Sequence, residues 1–218
     1  MNKATIFIAI ILVTGLCAIS QAQPDSLKTQ PDSLETKKGK TFIYYLETGF
    51  GFSTRGSNFD ISFTAGSANG LGGSLNFMAG YVNREDIPAD YYGLFRRSKP
   101  ANNFTTISPA LTLKFTNPKQ TFRFGLEAGP SFMHWNLVEL ELNPDYPDLF
   151  EYKYNKIWSQ ESTTGCYLAL KADIPAMRFL GCSFTLFSII NNVETLFGFD
   201  VTLTLGKIKG SWTKVQKN

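Results

Sequence analysis

The sequence predicts an all-β protein, an eight-stranded antiparallel up-and-down transmembrane β-barrel. Three observations predict it. From Thr41 to residue 208 the hydropathy alternates with a period of two rather than 3.6. One register of that alternation is apolar and carries no charge, while the other collects Gly, Ser, Thr, Asn and the charged residues. Clusters of Pro, Gly and Asn, such as Ser67-Ala68-Asn69-Gly70 and Thr116-Asn117-Pro118-Lys119, break the alternation into segments of strand length.

The segments before the first strand read as targeting and tether. Asn2 and Lys3 precede an apolar run from Ile6 to Ala18, and Ser20-Gln21-Ala22 then offers small residues to a signal peptidase. This predicts a signal peptide over 1–22 and a mature chain starting at Gln23. Leu16 stands where acylation of Cys17 would need a small residue, so ordinary cleavage is expected. Residues 23–40 hold a tandem heptad, Gln23 to Thr29 and Gln30 to Thr36. Each copy has a proline and a single leucine, which excludes a coiled coil and favours a disordered tether. Asp25-Ser26-Leu27 and Asp32-Ser33-Leu34 resemble sequences O-glycosylated in exported proteins. Ser26 and Ser33 are therefore candidate glycosylation sites, beside the simpler expectation of a plain spacer.

Eight strands follow, at 41–54, 57–66, 71–83, 104–115, 121–142, 150–174, 178–190 and 195–208. The apolar register includes Phe42, Tyr44, Leu46, Phe50 and Phe52 in the first strand, and Phe197, Phe199, Val201, Leu203 and Leu205 in the last. The opposite register carries Glu47, Asp60, Lys114, Arg123, Glu127, Lys171, Asp173 and Asp200. Alternation alone leaves the inward face open, because a soluble lipocalin-like barrel also alternates. Volume decides. An eight-stranded barrel has room inside for side chains or one small ligand, and about fifteen aromatic rings do not fit there. A water-facing exterior of Gly and Ser would be equally unusual. With the apolar face toward lipid both difficulties vanish, and closure leaves no unpaired strand edge in hydrocarbon.

The composition fits. The chain has 218 residues, a net charge of +3, 18% charged residues, 19 Phe and 18 Gly, which argues against a helical bundle. The mild positive charge is no footprint of a nucleic-acid binder, and one histidine with three cysteines leaves little for a metal site. No later run approaches 18 apolar residues, so no membrane helix is expected. Cys166 and Cys182 fall on one face of adjacent strands, not obviously opposite each other; they could pair in an oxidising compartment, and the simpler reading is two small apolar residues.

Over residues 41–208 the chain resembles the small outer-membrane β-barrel family of Gram-negative bacteria, the OmpX and OmpA-transmembrane-like, porin-like group, in strand count, alternation, short turns and signal peptide. The resemblance implies an outer-membrane location, a monomer, lipid and lipopolysaccharide as surroundings, and the barrel-assembly machinery during biogenesis. Group members commonly end on an aromatic residue that this machinery recognises. Here Gly198 to Leu205 has that look but is followed by Lys207 to Asn218, so recognition would use an internal strand. Both termini, the tail 209–218 and the short turns would face the periplasm. The loops at 55–56, 84–103, 143–149 and 191–194 would face outward.

Candidate sites follow from this frame. Five lumen acids against three bases predict a salt-bridged plug rather than a narrow diffusion pore, since eight strands leave no aqueous channel. The hairpin over 134–162 continues past the bilayer. With its turn centred on Tyr146, Glu139 faces Lys153, Leu140 faces Tyr152 and Val138 faces Tyr154. The expected result is an apolar-aromatic stripe of Val138, Leu140, Leu142, Phe150, Tyr152, Tyr154 and Trp158. It serves either as a docking surface for an unknown protein or as a lid packed on loop 84–103. Arg96, Arg97 and Lys99 are candidate lipopolysaccharide contacts, an ordinary solvated loop being the alternative. Some barrels of this kind modify lipid A with His and Ser at the rim. His134 faces lipid and Ser131 faces the lumen, so they form no nucleophile–base pair, and His134 reads as part of an aromatic belt beside Trp135. The expected function is thus non-enzymatic, without cofactor, catalytic or metal residues. A narrow pore and a lipid A-modifying rim enzyme are the alternatives.

Overall fold

The computed structural model describes residues 42–88, 91, 99–117, 119–144 and 153–208. The expected signal peptide, the tether with Ser26 and Ser33, and the tail from 209 lie outside the described residues. Eight strands form a closed barrel in which each pairs with its sequence neighbour and the last pairs with the first. They are β1 (Phe42–Ser53), β2 (Gly56–Ser67), β3 (Gly70–Asn83), β4 (Ala101–Thr116), β5 (Arg123–Leu142), β6 (Tyr154–Pro175), β7 (Leu180–Asn191) and β8 (Leu196–Lys207). All eight pairings are antiparallel. The expected strands are all present. β4 starts three residues earlier than expected because its ladder with β3 runs on to Asn83 opposite Ala101.

One end carries short turns. Gly70, at φ 134, reverses the chain after Ala68-Asn69, in a conformation that L side chains rarely adopt. Between β4 and β5 the Asn117 side-chain oxygen accepts from the backbone N–H of Thr121 and Phe122, at 2.8 and 3.0 Å. This is an Asx-type turn that lets Gln120 sit at φ 52. The other end carries the two-residue turn Thr54-Arg55 and the longer connections 84–100, 143–153 and 192–195.

The faces are inverted relative to a water-soluble barrel. Phe50 and Leu111 are 72% and 74% exposed, and the rest of the apolar register lies beside them on the outside. All eight charged residues of the opposite register are buried inside. An exterior of Phe, Leu and Ile around a polar interior is stable only where the exterior meets hydrocarbon, so the strands span a membrane.

β5 and β6, with 20 and 22 residues, rise above a wall whose strands β1, β2, β7 and β8 have 12 each. The β6–β7 ladder ends at Gly165 opposite Asn191, and the β4–β5 ladder at Asn103 opposite Asn136. Beyond those rows β5 and β6 pair only with each other, up to Leu142 opposite Tyr154. The expected register of this ribbon is corrected by four residues. Val138 faces Trp158, Glu139 faces Ile157 and Leu140 faces Lys156. The described ladder ends at Leu142 opposite Tyr154, which is not the row a turn centred on Tyr146 gives. The shift is even, so each side chain keeps its face.

Candidate functional site

The lumen is built from side chains that the closed wall of strands brings together. Lys171 on β6 donates to Glu47 on β1 and lies 3.4 Å from Glu127 on β5. Ser62 donates to Glu47 at 2.7 Å and Ser74 to Glu127 at 3.2 Å. Toward the short-turn end, Arg123 reaches Asp173 at 3.4 Å and the carbonyl of Ile208 at 2.7 Å. Tyr45 donates to Asp173 at 3.0 Å, and Lys114 donates to the Tyr45 hydroxyl. Asp200 accepts from Asn58 at 2.6 Å, across Gly51, which pairs with both residues. A Cβ on Gly51 would collide with the Asp200 carboxylate, so glycine is required there for the approach. Six of the eight charged residues thus join two clusters, Asp200 is held by an amide, and Asp60 lies buried on the same wall.

Sequence reasoning missed the apolar half of the lumen. Toward the loop end, Met78, Val82, Phe104, Met133, Trp135 and Tyr167 pack with Phe187, Ile189 and Leu196 in one buried cluster. The Phe104 and Trp135 rings pack at a tilt, 5.5 Å between centroids. The signal was present in β5, whose inward register runs Arg123, Glu127, Ser131, Met133, Trp135 and so passes from charged to apolar along one strand. Trp135 is therefore a lumen residue and no companion to His134 on the outer face.

The loop end carries a second polar constellation. Arg55 pairs with Glu85 at 3.2 Å and with Glu194. Arg84 pairs with Asp86, donating from Nε to Oδ1 at 2.7 Å, and also donates to the Val138 carbonyl. The guanidinium holds the Asp86 carboxyl below its ordinary range, and the same hydrogen bond raises Arg84. Asn102 accepts from the Val138 N–H at 3.0 Å. These groups line a polar hollow of about 460 Å³. Arg84 and Asn102 occupy both backbone polar groups of Val138, so the β5 side of the ribbon is covered at its base. Tyr91 adds a ring contact with Tyr154 at 6.3 Å. On the β6 side, residues 155–164 have no strand partner toward β7 among the described residues.

The expected stripe is distributed unevenly. Val138 is fully buried, Leu140 and Tyr154 are half-buried, and Leu142 and Trp158 are exposed at 65% and 52%. Phe150 and Tyr152 lie outside the described residues, as do Arg96 and Arg97. Lys99 is exposed. Cys166 and Cys182 are free thiols, their rows eight residues apart along β6. His134 faces lipid and Ser131 is buried in the lumen, where it bonds to Thr106 and Ser108. A different serine meets the imidazole: Ser162, directly across the ladder, lies 3.1 Å from Nδ1. A period-two register shows such a partner only once the cross-strand register is known.

Comparison with solved structures gives the same architecture. Ail, the attachment invasion locus protein of Yersinia pestis, in complex with the heparin analogue sucrose octasulfate, matches with a TM-score of 0.50 at 8% identity, over 76% of this chain and 99% of that one. A major outer membrane protein from Thermus thermophilus matches with a TM-score of 0.51 at 13% identity, over 76% of this chain and 99% of that one. No protein-family model matches the chain. No curated protein matches it either. At these identities the likeness shows the fold, which is that of the small eight-stranded outer-membrane barrels.

Proposed function

We propose that the protein is a non-enzymatic outer-membrane barrel with a plugged lumen, presenting its β5–β6 hairpin to a partner at the cell surface. The observation that carries this is the asymmetry of the ribbon. Its β5 side is covered at its base, where Arg84 and Asn102 take up Val138, while the β6 side over 155–164 offers backbone groups to an added strand. Exposed Ile157 and Trp158 lie on that strand. The lumen supports the same view, since ion pairs lie buried below an apolar cap.

The short turns and both termini face the periplasm in this proposal, and the long connections face outward, the usual arrangement of such barrels. The protein is a monomer assembled by the barrel-assembly machinery. Arg96, Arg97 and Lys99 grip lipopolysaccharide phosphates. The test is a photo-crosslinking amino acid placed at Ile157 in living cells, with Glu139 as the comparison position. A protein adduct at position 157 that is absent at 139 is expected. No adduct at 157, or equal adducts at both, overturns the hairpin role.

A further inference from the structure

The lumen charges leave a remainder. In formal charge, Lys171 falls one short of Glu47 and Glu127, and the group of Arg123, Lys114 and Asp173 carries one in excess. These two clusters balance each other, and two negative charges remain, on Asp60 and Asp200. Asp200 takes one hydrogen bond from the Asn58 amide. Asp60 is buried yet makes no hydrogen bond and no ion pair among the described residues. Carboxylates sealed inside a wall that faces hydrocarbon need a counter-charge.

Register brings the two acids to one place. Asp200, Gly51 and Asn58 form a row across β8, β1 and β2, and Thr202, Gly49 and Asp60 form the next inward-facing row toward the short-turn end. Each row sets a glycine between two side chains that carry oxygen. A Cβ at Gly51 would meet the Asp200 carboxylate and one at Gly49 would meet the Thr202 side chain, so both β8 residues lean over β1. In the first row the bond from Asn58 to Asp200, at 2.6 Å, closes the gap. In the second row the Thr202 hydroxyl and the Asp60 carboxylate are left without a partner. The side-chain carbonyl of Asn58, held beside Asp200 by its own amide nitrogen, has none either. Asn58 and Thr202 are only 4% and 2% exposed. On the loop side, Phe187 of the apolar cluster lies against Gly198, two residues from Asp200 along β8.

We infer that Asp60, Asp200, Asn58 and Thr202 form a lumen site for a hard divalent cation, calcium or magnesium. A donor set made only of carboxylate, amide carbonyl and hydroxyl oxygens suits such an ion and not the softer transition metals. Its two charges match the two that the ion pairs leave over. The apolar cluster closes the loop side, so the ion enters as the barrel folds. The site rests on lumen geometry and stands whether or not the hairpin binds a partner.

The full chain is refolded in detergent and excess sodium, with calcium, with magnesium or with a chelator, and unbound metal is removed by gel filtration. Metal analysis of wild type is expected to find one divalent ion per chain in the calcium arm, the magnesium arm or both. The arm that retains the ion should show a higher urea midpoint than the chelator arm, because a ligand of the folded state stabilises it. Asp60→Asn is expected to lose the ion, and its midpoint should no longer depend on metal. Asp86→Asn, at the exposed rim, should keep both properties. Gel mobility before and after boiling reports folding, and Asp200→Asn replaces Asp60→Asn if the latter does not fold. Wild type without a divalent ion, an ion retained by the folded lumen variant, or an ion lost from Asp86→Asn overturns the site. In the first case protons carry the remaining charge.

Discussion

Lys171 donates to Glu47 across the lumen, from the sixth strand to the first, and the same ammonium lies within ion-pair distance of Glu127. One cation thus holds two buried carboxylates from separate strands. Lys171→Met removes it and leaves both acids inside the barrel without their ion-pair partner. A loss of about 3–5 kcal/mol is expected, the usual effect of breaking a buried pair by one partner. The urea midpoint of the detergent-folded barrel, followed by gel mobility, measures it. The triple change Lys171→Met, Glu47→Gln, Glu127→Gln should recover part of the loss, because amides remain buried without charge.

The same network predicts a closed channel. Reconstituted in planar bilayers, the wild-type chain is expected to show no steady conductance, because ion pairs in the lower lumen lie beneath the Phe104–Trp135 cap. A reproducible unitary conductance would establish the pore alternative in its place.

The outer face makes a depth-dependent prediction. Leu111 is the sixth residue of β4 from its short-turn end and lies near the middle of the crossing, while Phe52 is one residue from the loop end of β1. Leu111→Arg should destabilise by about 2–4 kcal/mol and Phe52→Arg by roughly 0–1 kcal/mol, measured by reversible unfolding in lipid vesicles. A water-soluble barrel would accept both equally.

Strand number, strand faces and all eight lumen charges were legible because period-two alternation assigns each residue to a side without tertiary information. Leu111 could be placed outside and Lys171 inside from parity alone. Two features were hidden for different physical reasons. The hairpin register depends on how many residues the connection after Asn143 takes up, and parity is blind to an even shift such as the one that sets Val138 against Trp158. The apolar cap was hidden because Phe104, Trp135 and Phe187 belong to the inward register but have the chemistry of the outward one. A barrel end sealed by aromatic rings and one embedded in lipid look alike in composition.

At the rim, Arg84 and Asp86 define a pH response. Asp86 titrates below an ordinary aspartate because the Arg84 guanidinium is hydrogen-bonded to it. A lowered carboxyl favours the folded loop at pH values above the ordinary aspartate range and stops doing so as pH falls through the lowered value. The carboxyl carbon resonance of Asp86, followed by NMR in micelles, is expected to titrate below the range of an exposed aspartate. In Arg84→Gln it should return to that range. Asp86 is largely exposed, so the response is local to the loop.

The contact of Ser162 with His134 bears on the enzyme alternative. A serine becomes a nucleophile when its base is oriented by a third group and when donors await the oxyanion. Among the described residues, the imidazole of His134 has Ser162 as its hydrogen-bonding partner and no carboxylate on its other nitrogen. Both strands at this row are paired with each other, which occupies backbone groups that would have to serve as oxyanion donors. Deleting the protein, or replacing it with Ser162→Ala or His134→Ala, is therefore expected to leave the acylation pattern of lipid A unchanged by mass spectrometry. A change in acyl number that follows Ser162 would establish the enzyme alternative in its place.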